Sequence, residues 1–188
     1  MLLVEDENFI NKDYTETRLV VGDYEMCTFS NCVFSKSSLS NFTFTECTFE
    51  NCDLSLAKID NTAFKDVTFK DCKLLGLRFE DCNQFLFEVN FESCQLDLSS
   101  FYKCAMKGSR FIKCSLKEVD FTESNLTAAS FQECNLLGSI FDRTILEKTD
   151  FRTAANFAVD PEINQMRKAL FSRKELEGLL LKYDLKIE

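Results

Sequence analysis

Residues 49–54 read FENCDL, and closely similar hexapeptides return along the chain. They are FSNCVF at 29–34, FKDCKL at 69–74, FESCQL at 91–96, FIKCSL at 111–116 and FQECNL at 131–136. Successive copies lie 20 residues apart, except for one interval of 22 residues. A fixed period of this size is the sequence signature of a repeat architecture.

Each 20-residue unit contains a shorter repeat, because a large apolar residue falls at every fifth position. A period of five fits neither an α-helix nor a flat strand, so the chain must turn a corner every five residues with one large side chain inside. The pattern shifts by two residues near 83–86. Aligning the units across this shift predicts four inward columns: Phe29, Phe49, Phe69, Phe91, Phe111, Phe131 and Phe151; Phe34, Leu54, Leu74, Leu96, Leu116 and Leu136; Leu39, Ile59, Phe79, Phe101, Phe121 and Phe141; Phe44, Phe64, Leu86, Met106, Leu126 and Leu146.

Stretches such as CTFEN at 47–51 and SNLTA at 124–128 resemble the unit of the pentapeptide-repeat family, roughly [S/T/A/V/C]-[D/N]-[L/F]-[S/T/R/E]-X. The resemblance covers about residues 14–153. It implies an all-β fold, a right-handed quadrilateral parallel β-helix (solenoid) with four pentapeptides in each coil. The inward positions, divided among four columns, predict about seven coils.

The chain divides into a β-helix over residues 1–153, with the strongest repeats at 24–153, and a C-terminal cap over 154–188. Ser172 and Glu175 have the spacing of a capping box, which predicts a capping α-helix over about 173–183. Such a helix would place one apolar face over the last coil, formed by Leu176, Leu179, Leu180 and Tyr183. The alternative is that this face is also a homodimer interface, since the family resemblance implies pairing through C-terminal elements.

Nine of the ten cysteines lie two positions before an inward residue, and Cys82 is the exception. A zinc site needs four ligands converging on one point, and a disulfide needs closer Cβ atoms than neighbouring parallel strands provide. We therefore expect cysteine to act here as a small buried apolar residue, with no metal and no cofactor. Reduced thiols suit a cytoplasmic protein, and the N-terminus has no recognisable secretory signal.

Composition limits the functions that remain. The 188 residues include no His, and no G-x-S-x-G elbow or P-loop occurs, so we predict that the protein is not an enzyme. A net charge of −9 disfavours direct binding to nucleic acid or to a membrane surface, and no apolar run reaches the ~20 residues of a membrane span. The acidity is uneven, because residues 1–100 carry 18 acidic and 8 basic side chains, a net −10.

Acidic residues on successive coils form two expected rows, one of Glu46, Asp66 and Glu88 and one beginning with Asp60 and Glu80. The resemblance to quinolone-resistance members of the family implies a DNA mimic that occupies the DNA-binding surface of DNA gyrase or topoisomerase IV. The alternative is a structural or adaptor protein that binds another protein partner. Phe85 and Phe87, at the phase shift, are its expected contacts unless they turn inward.

Overall fold

The computed structural model describes residues 2–186, which form a parallel β-solenoid of about seven turns. Its strands are short because the chain turns a corner every few residues. They are β1 (Leu2–Glu5), β2 (Asn8–Ile10), β3 (Gly22–Glu25), β4 (Thr28–Ser30), β5 (Thr43–Thr45), β6 (Thr48–Glu50), β7 (Ala63–Lys65), β8 (Val67–Lys70), β9 (Val89–Glu92), β10 (Arg110–Ile112) and β11 (Ser130–Gln132). Three 3₁₀ segments span Phe79–Asp81, Arg173–Leu179 and Leu181–Tyr183. Neither helical segment near the C-terminus has the length or apolar character needed to cross a membrane.

The strands build two parallel sheets, ordered β1-β3-β5-β7 and β11-β10-β9-β8-β6-β4-β2. Pairing follows the sequence period, since Phe29 lies beside Phe49 and Phe49 beside Phe69. The other faces are joined by single parallel bridges such as Ser38 with Lys58. The interval between pairing partners is 20 residues before the phase shift and 22 across it, where Val67 lies beside Val89. The predicted parallel solenoid is therefore confirmed.

The corners of the coil are made by residues in the left-handed backbone region. Along one coil, Asn41, Glu46, Asn51 and Leu56 have φ values of 67°, 53°, 50° and 56°. Most of these corner positions follow an inward column residue by two and are not glycine, although non-glycine residues in this region carry a steric penalty. The chain therefore accepts repeated local strain at its corners, and core packing together with backbone pairing must offset it.

The interior is a stack of aromatic rings. Phe49 lies over Phe29 at a centroid distance of 4.8 Å, and Phe111 lies over Phe91 at 5.1 Å. Phe101 belongs to the third column and meets Phe91 edge-on at 5.9 Å. Parallel offset stacking within a column and edge-to-face contacts between columns are both favourable ring geometries. The first column extends beyond the predicted members at both ends, to Phe9 and to Phe171.

Backbone pairing runs past the expected division at residue 153. Ala155, Gln165 and Leu170 bridge to residues 20 positions earlier on the preceding turn. The rings of Phe151 and Phe171 stack at 5.2 Å. A further partial turn thus follows the last predicted inward phenylalanine.

The C-terminal helix occurs at the predicted place, but it is 3₁₀ rather than α. Ser172 caps it, since its Oγ accepts a hydrogen bond from the Lys174 N–H at 3.2 Å, but among residues 2–186 the return bond from the Ser172 N–H to Glu175 that a capping box requires does not form. The carbonyl of Gly178 accepts a hydrogen bond from the Val159 N–H at 2.9 Å, so the helix is attached to the segment around Val159, earlier in the same chain. A side chain at Gly178 would collide with the Phe157 carbonyl. This close docking uses a carbonyl that a continuous α-helix would need for its own hydrogen bonding.

Candidate partner-binding surface

The two-residue insertion is absorbed in one bulge, residues 83–88. Asn83 still pairs with Ala63 in the 20-residue register, whereas Val89 pairs with Val67 in the 22-residue register. The amide of Gln84 donates to the carbonyls of Phe79 and Cys82 at 2.9 and 3.2 Å. These contacts anchor the start of the bulge to the core and leave the next two residues outside.

Phe85 and Leu86 are 70 % and 63 % exposed, whereas Phe87 is only 8 % exposed. The Phe85 N–H donates to Asn83 Oδ1 at 2.9 Å, and Leu86 has a φ of 57°. The expectation that Leu86 fills the fourth inward column is wrong, because Gln84 anchors the backbone and turns Phe87 inward instead. Of the two expected aromatic contacts, only Phe85 lies on the surface, and Leu86 is an exposed neighbour that the sequence pattern missed.

Glu46, Asp66 and Glu88 form an acidic row beside the bulge. All three are exposed, and the N–H of Glu46 donates to Lys65 O while the N–H of Val67 donates to Glu88 O. The three residues therefore lie on consecutive turns, about 4.8 Å apart. The register continues the row into Gly108, Ala128 and Lys148, so its acidic part covers three turns.

The two residues of the second expected row differ in exposure and pairing. Asp60 is exposed and accepts a hydrogen bond from Ser40 Oγ at 3.1 Å. The side chain of Glu80 is 16 % exposed, and its Oε1 lies 3.2 Å from Arg78 Nε, which also contacts Asp81 at 3.3 Å. Glu80 thus points towards the protein and its charge is paired with Arg78, so the free negative charge of this pair is confined to Asp60.

The expected dimer residues separate into two groups. Leu179 packs against the core, and Leu180 is partly buried. Leu176 and Tyr183 are exposed, and the Tyr183 hydroxyl donates to Glu162 Oε1 at 2.7 Å. In a 3₁₀ helix the residues at i and i+3 lie above one another, so the single face expected of an α-helix is not kept.

Sequence reasoning also missed an apolar groove of about 330 Å³ next to the cap. Ile140, Ile163 and Leu181 line it and are all exposed. The partial turn after Phe151 brings the first two together, and it was not expected from the five-residue period. Ala155 bridges to Asn135 and so continues the 20-residue register towards this groove.

All ten cysteines are buried and unbridged. Seven of the thiols donate to backbone carbonyls of the preceding turn, as Cys52 does to Phe29 O at 3.2 Å. Burial raises the pKa of Cys47 and of Cys104 to about 12. Within residues 2–186, no group of three or more His, Cys, Asp or Glu side chains is placed to hold a metal ion. These thiols pack and donate weak hydrogen bonds in the interior.

Comparison with known proteins agrees with the repeat. A family model described as "Pentapeptide repeat region" matches residues 22–84, 42–110 and 84–181. A search of curated proteins found no match.

Two solved structures are similar to this chain, both at low sequence identity. HetL, a pentapeptide repeat protein involved in heterocyst differentiation regulation from the cyanobacterium Nostoc sp. strain PCC 7120, is 16% identical. The match covers 91% of this chain and 86% of HetL, with a TM-score of 0.54. A trypsin-treated form of QnrB1, a plasmid-mediated fluoroquinolone resistance protein, is 17% identical over 99% of this chain and 100% of that one, with a TM-score of 0.47.

Proposed function

The chain belongs to the pentapeptide-repeat family, and from this premise we propose that it is a non-enzymatic protein that binds a protein partner through the bulge. The observation that carries the proposal is the exposure of Phe85 and Leu86 side by side, while Phe87 is buried. Two large apolar side chains held outside an otherwise regular face have unfavourable contact with water, which a partner would remove.

The acidic row defines the chemistry of that partner. Asp66 pairs in register with Glu88, which lies two residues after Leu86. An apolar pocket rimmed by Lys or Arg would fit both the exposed apolar pair and the carboxylates. The buried, unbridged thiols support a reducing compartment, so we place the protein in the cytoplasm. The net charge of −9 disfavours direct contact with nucleic acid or membrane, and we propose none.

A second candidate is a DNA mimic that binds DNA gyrase or topoisomerase IV and confers quinolone resistance. The acidic row favours it, because Glu46, Asp66 and Glu88 repeat at a regular interval. The row presents three carboxylates over about 10 Å, about the density of one DNA strand and half that of the duplex, and it ends after three turns at Gly108. The adaptor function is therefore the better supported of the two.

The test is quantitative capture of partners from a lysate of the source cell by the wild-type chain and by a Phe85→Ser, Leu86→Ser variant. Leu98→Ser is the matched control, because Leu98 is an exposed corner residue away from the bulge. We expect one protein to be retained by the wild type and by the control and lost with the double variant. Equal capture by all three would rule out the bulge as the contact.

The topoisomerase candidate is tested separately. Purified protein is titrated into a gyrase supercoiling assay with and without a fluoroquinolone, beside an Asp66→Asn, Glu88→Gln variant. Inhibition or protection that this variant loses would support the mimic. If the wild-type protein has no effect on either reaction, gyrase is not its target.

We also propose a homodimer through the C-terminal region. The exposed Leu176 and Tyr183 support it, together with the apolar groove that contains Ile140 and Leu181. Light scattering after size exclusion gives the mass directly. We expect twice the mass of the 21.7 kDa chain, and a single-chain mass for Leu181→Asp. A single-chain mass for the wild type at high concentration would contradict the dimer.

A further inference from the structure

A cationic pocket lies on the acidic half of the solenoid, away from the bulge. It has a volume of about 260 Å³ and is formed where the loop after Tyr14 passes over the next turn. Arg18, Lys36 and Lys58 all line it. Residues 1–100 carry only 8 basic side chains against 18 acidic ones, so three of them in one pocket is a local reversal of charge.

Within residues 2–186, none of the three cations forms an ion pair with a carboxylate. In the part of the chain that the structure describes, ion pairs involve Arg78, Lys103, Arg143, Arg152 and Lys182 but none of the pocket cations. No carboxylate belongs to the residues that line the pocket. Like charges gathered without a directly paired carboxylate repel one another, and a bound anion would relieve that repulsion.

The backbone beneath the pocket is well fixed. Lys36 occupies a left-handed corner with a φ of 57°, and its N–H donates to Ser55 O at 2.9 Å. Ser38 bridges to Lys58, which sets these two positions one sheet spacing apart. The ring of Tyr14 stacks on Phe34 at 4.8 Å and forms part of the floor. The Cα positions of the two lysines are therefore held before any ligand arrives.

The neighbouring polar groups leave the cations as the main donors. Ser37 Oγ donates to Phe34 O at 2.7 Å, and Thr15 Oγ1 donates to Asp13 Oδ1 at 2.6 Å. Both hydroxyls have already used their protons, so a ligand would be recognised by the ammonium and guanidinium groups. An occupant must accept several hydrogen bonds and carry more than one negative charge. These are the properties of a phosphate group.

We propose that Arg18, Lys36 and Lys58 form a binding site for a phosphate group, either inorganic phosphate or a phosphate monoester. This site is independent of the partner surface at the bulge. The adjacent carboxylates of Asp13 and Asp60 are held by hydroxyl donors, from Thr15 and from Ser40. The proposal therefore concerns a small ligand that fits among the three cations.

The test follows backbone amide resonances of residues 36–39 and 58 by NMR as inorganic phosphate is added at constant ionic strength. Sodium chloride is the reference salt, and phenyl phosphate is the monoester arm. We expect saturable shifts confined to the pocket with phosphate and none with chloride. Saturation at a lower concentration with inorganic phosphate than with phenyl phosphate would identify inorganic phosphate as the ligand, and the reverse order would identify a phosphate monoester.

Lys36→Gln and Lys58→Gln should each weaken phosphate binding by roughly fivefold, because each removes one charge-assisted donor. Lys107→Gln is the matched control, since it removes the same charge from an exposed position outside the pocket. An equal loss in the control would show that only net charge matters and would overturn the site. Shifts that do not saturate, or that chloride reproduces, would overturn it as well.

Discussion

The rings of Phe49 and Phe69 stack with their centroids 5.1 Å apart, each on its own turn of the solenoid. Phe69 is completely buried and also stacks on Phe91 at 5.5 Å. Phe69→Ala should lower the free energy of unfolding by about 3–5 kcal/mol, because it leaves a cavity in the middle of the column. Phe85→Ala should change it by less than about 0.5 kcal/mol, since Phe85 is exposed. Chemical denaturation measures both, and comparable losses would show that the column is not the main source of stability.

The left-handed corners give a second prediction. Leu98 is exposed and has a φ of 63°, a conformation that asparagine tolerates better than leucine. Leu98→Asn should therefore raise the free energy of unfolding by up to ~1 kcal/mol. Leu137 is also exposed and is not among the left-handed residues, so Leu137→Asn should have little effect. Equal changes at the two positions would show that corner strain is not being relieved.

The buried thiols predict a dependence of stability on alkaline pH. Burial raises the pKa of Cys47 and Cys104 from 9.0 to about 12, so the folded state holds these protons more tightly than the unfolded state. Their contribution to stability is full below pH 9 and is lost as the pH rises from about 9 towards 12. The slope should approach 1.4 kcal/mol per pH unit for each thiol, by order of magnitude.

Denaturation at several pH values between 8 and 11 tests this prediction, with a Cys47→Ala, Cys104→Ala variant as the control. The variant should show a shallower decline, because two of the shifted groups are absent. Identical slopes for the two proteins would contradict the assignment. A thiol reagent should also leave the native protein unlabelled at neutral pH, because all ten cysteines are buried.

The C-terminal cap is held by a cluster of charges. Lys182 Nζ lies 2.7 Å from Asp160 Oδ1 and 2.6 Å from Glu162 Oε2. Hydrogen bonding to Lys182 lowers the pKa of both carboxyls, so this contribution is present above their ordinary pKa values and is lost as the pH falls through the lowered ones. Lys182→Met should speed hydrogen exchange over residues 173–183, whereas Lys174→Met should not. High salt should weaken the difference, because the side chains of Lys182 and Asp160 are partly open to solvent and that of Glu162 is exposed.

The inward columns could be predicted from the sequence because a large residue every fifth position leaves one consistent interior. The choice between Leu86 and Phe87 could not, since both are apolar and either could fill the gap. The anchoring of Gln84 to Phe79 and Cys82 decides it, and that contact exists only in three dimensions. The docking of the cap likewise depends on a tertiary hydrogen bond, from the Val159 N–H to the Gly178 carbonyl.

The corners and the cationic pocket were missed for related reasons. Leucine, lysine and glutamate have no intrinsic preference for the left-handed region, so the coil imposes that conformation on them. Arg18, Lys36 and Lys58 are separated by 18 and 22 residues, and in sequence they resemble isolated surface charges. Only the winding of the chain brings them into one pocket.

The register of the solenoid also sets the distance between its surface features. The bulge and the C-terminal cap are joined by regular turns of the solenoid, each of which adds about 4.8 Å. Duplicating or deleting one 20-residue unit between them would change their distance by one such step and leave both pointing in the same direction. Binding of a partner that contacts both features would thus depend on the number of repeats. Gain or loss of a single coil would change the distance between the two contacts and so change which partner fits.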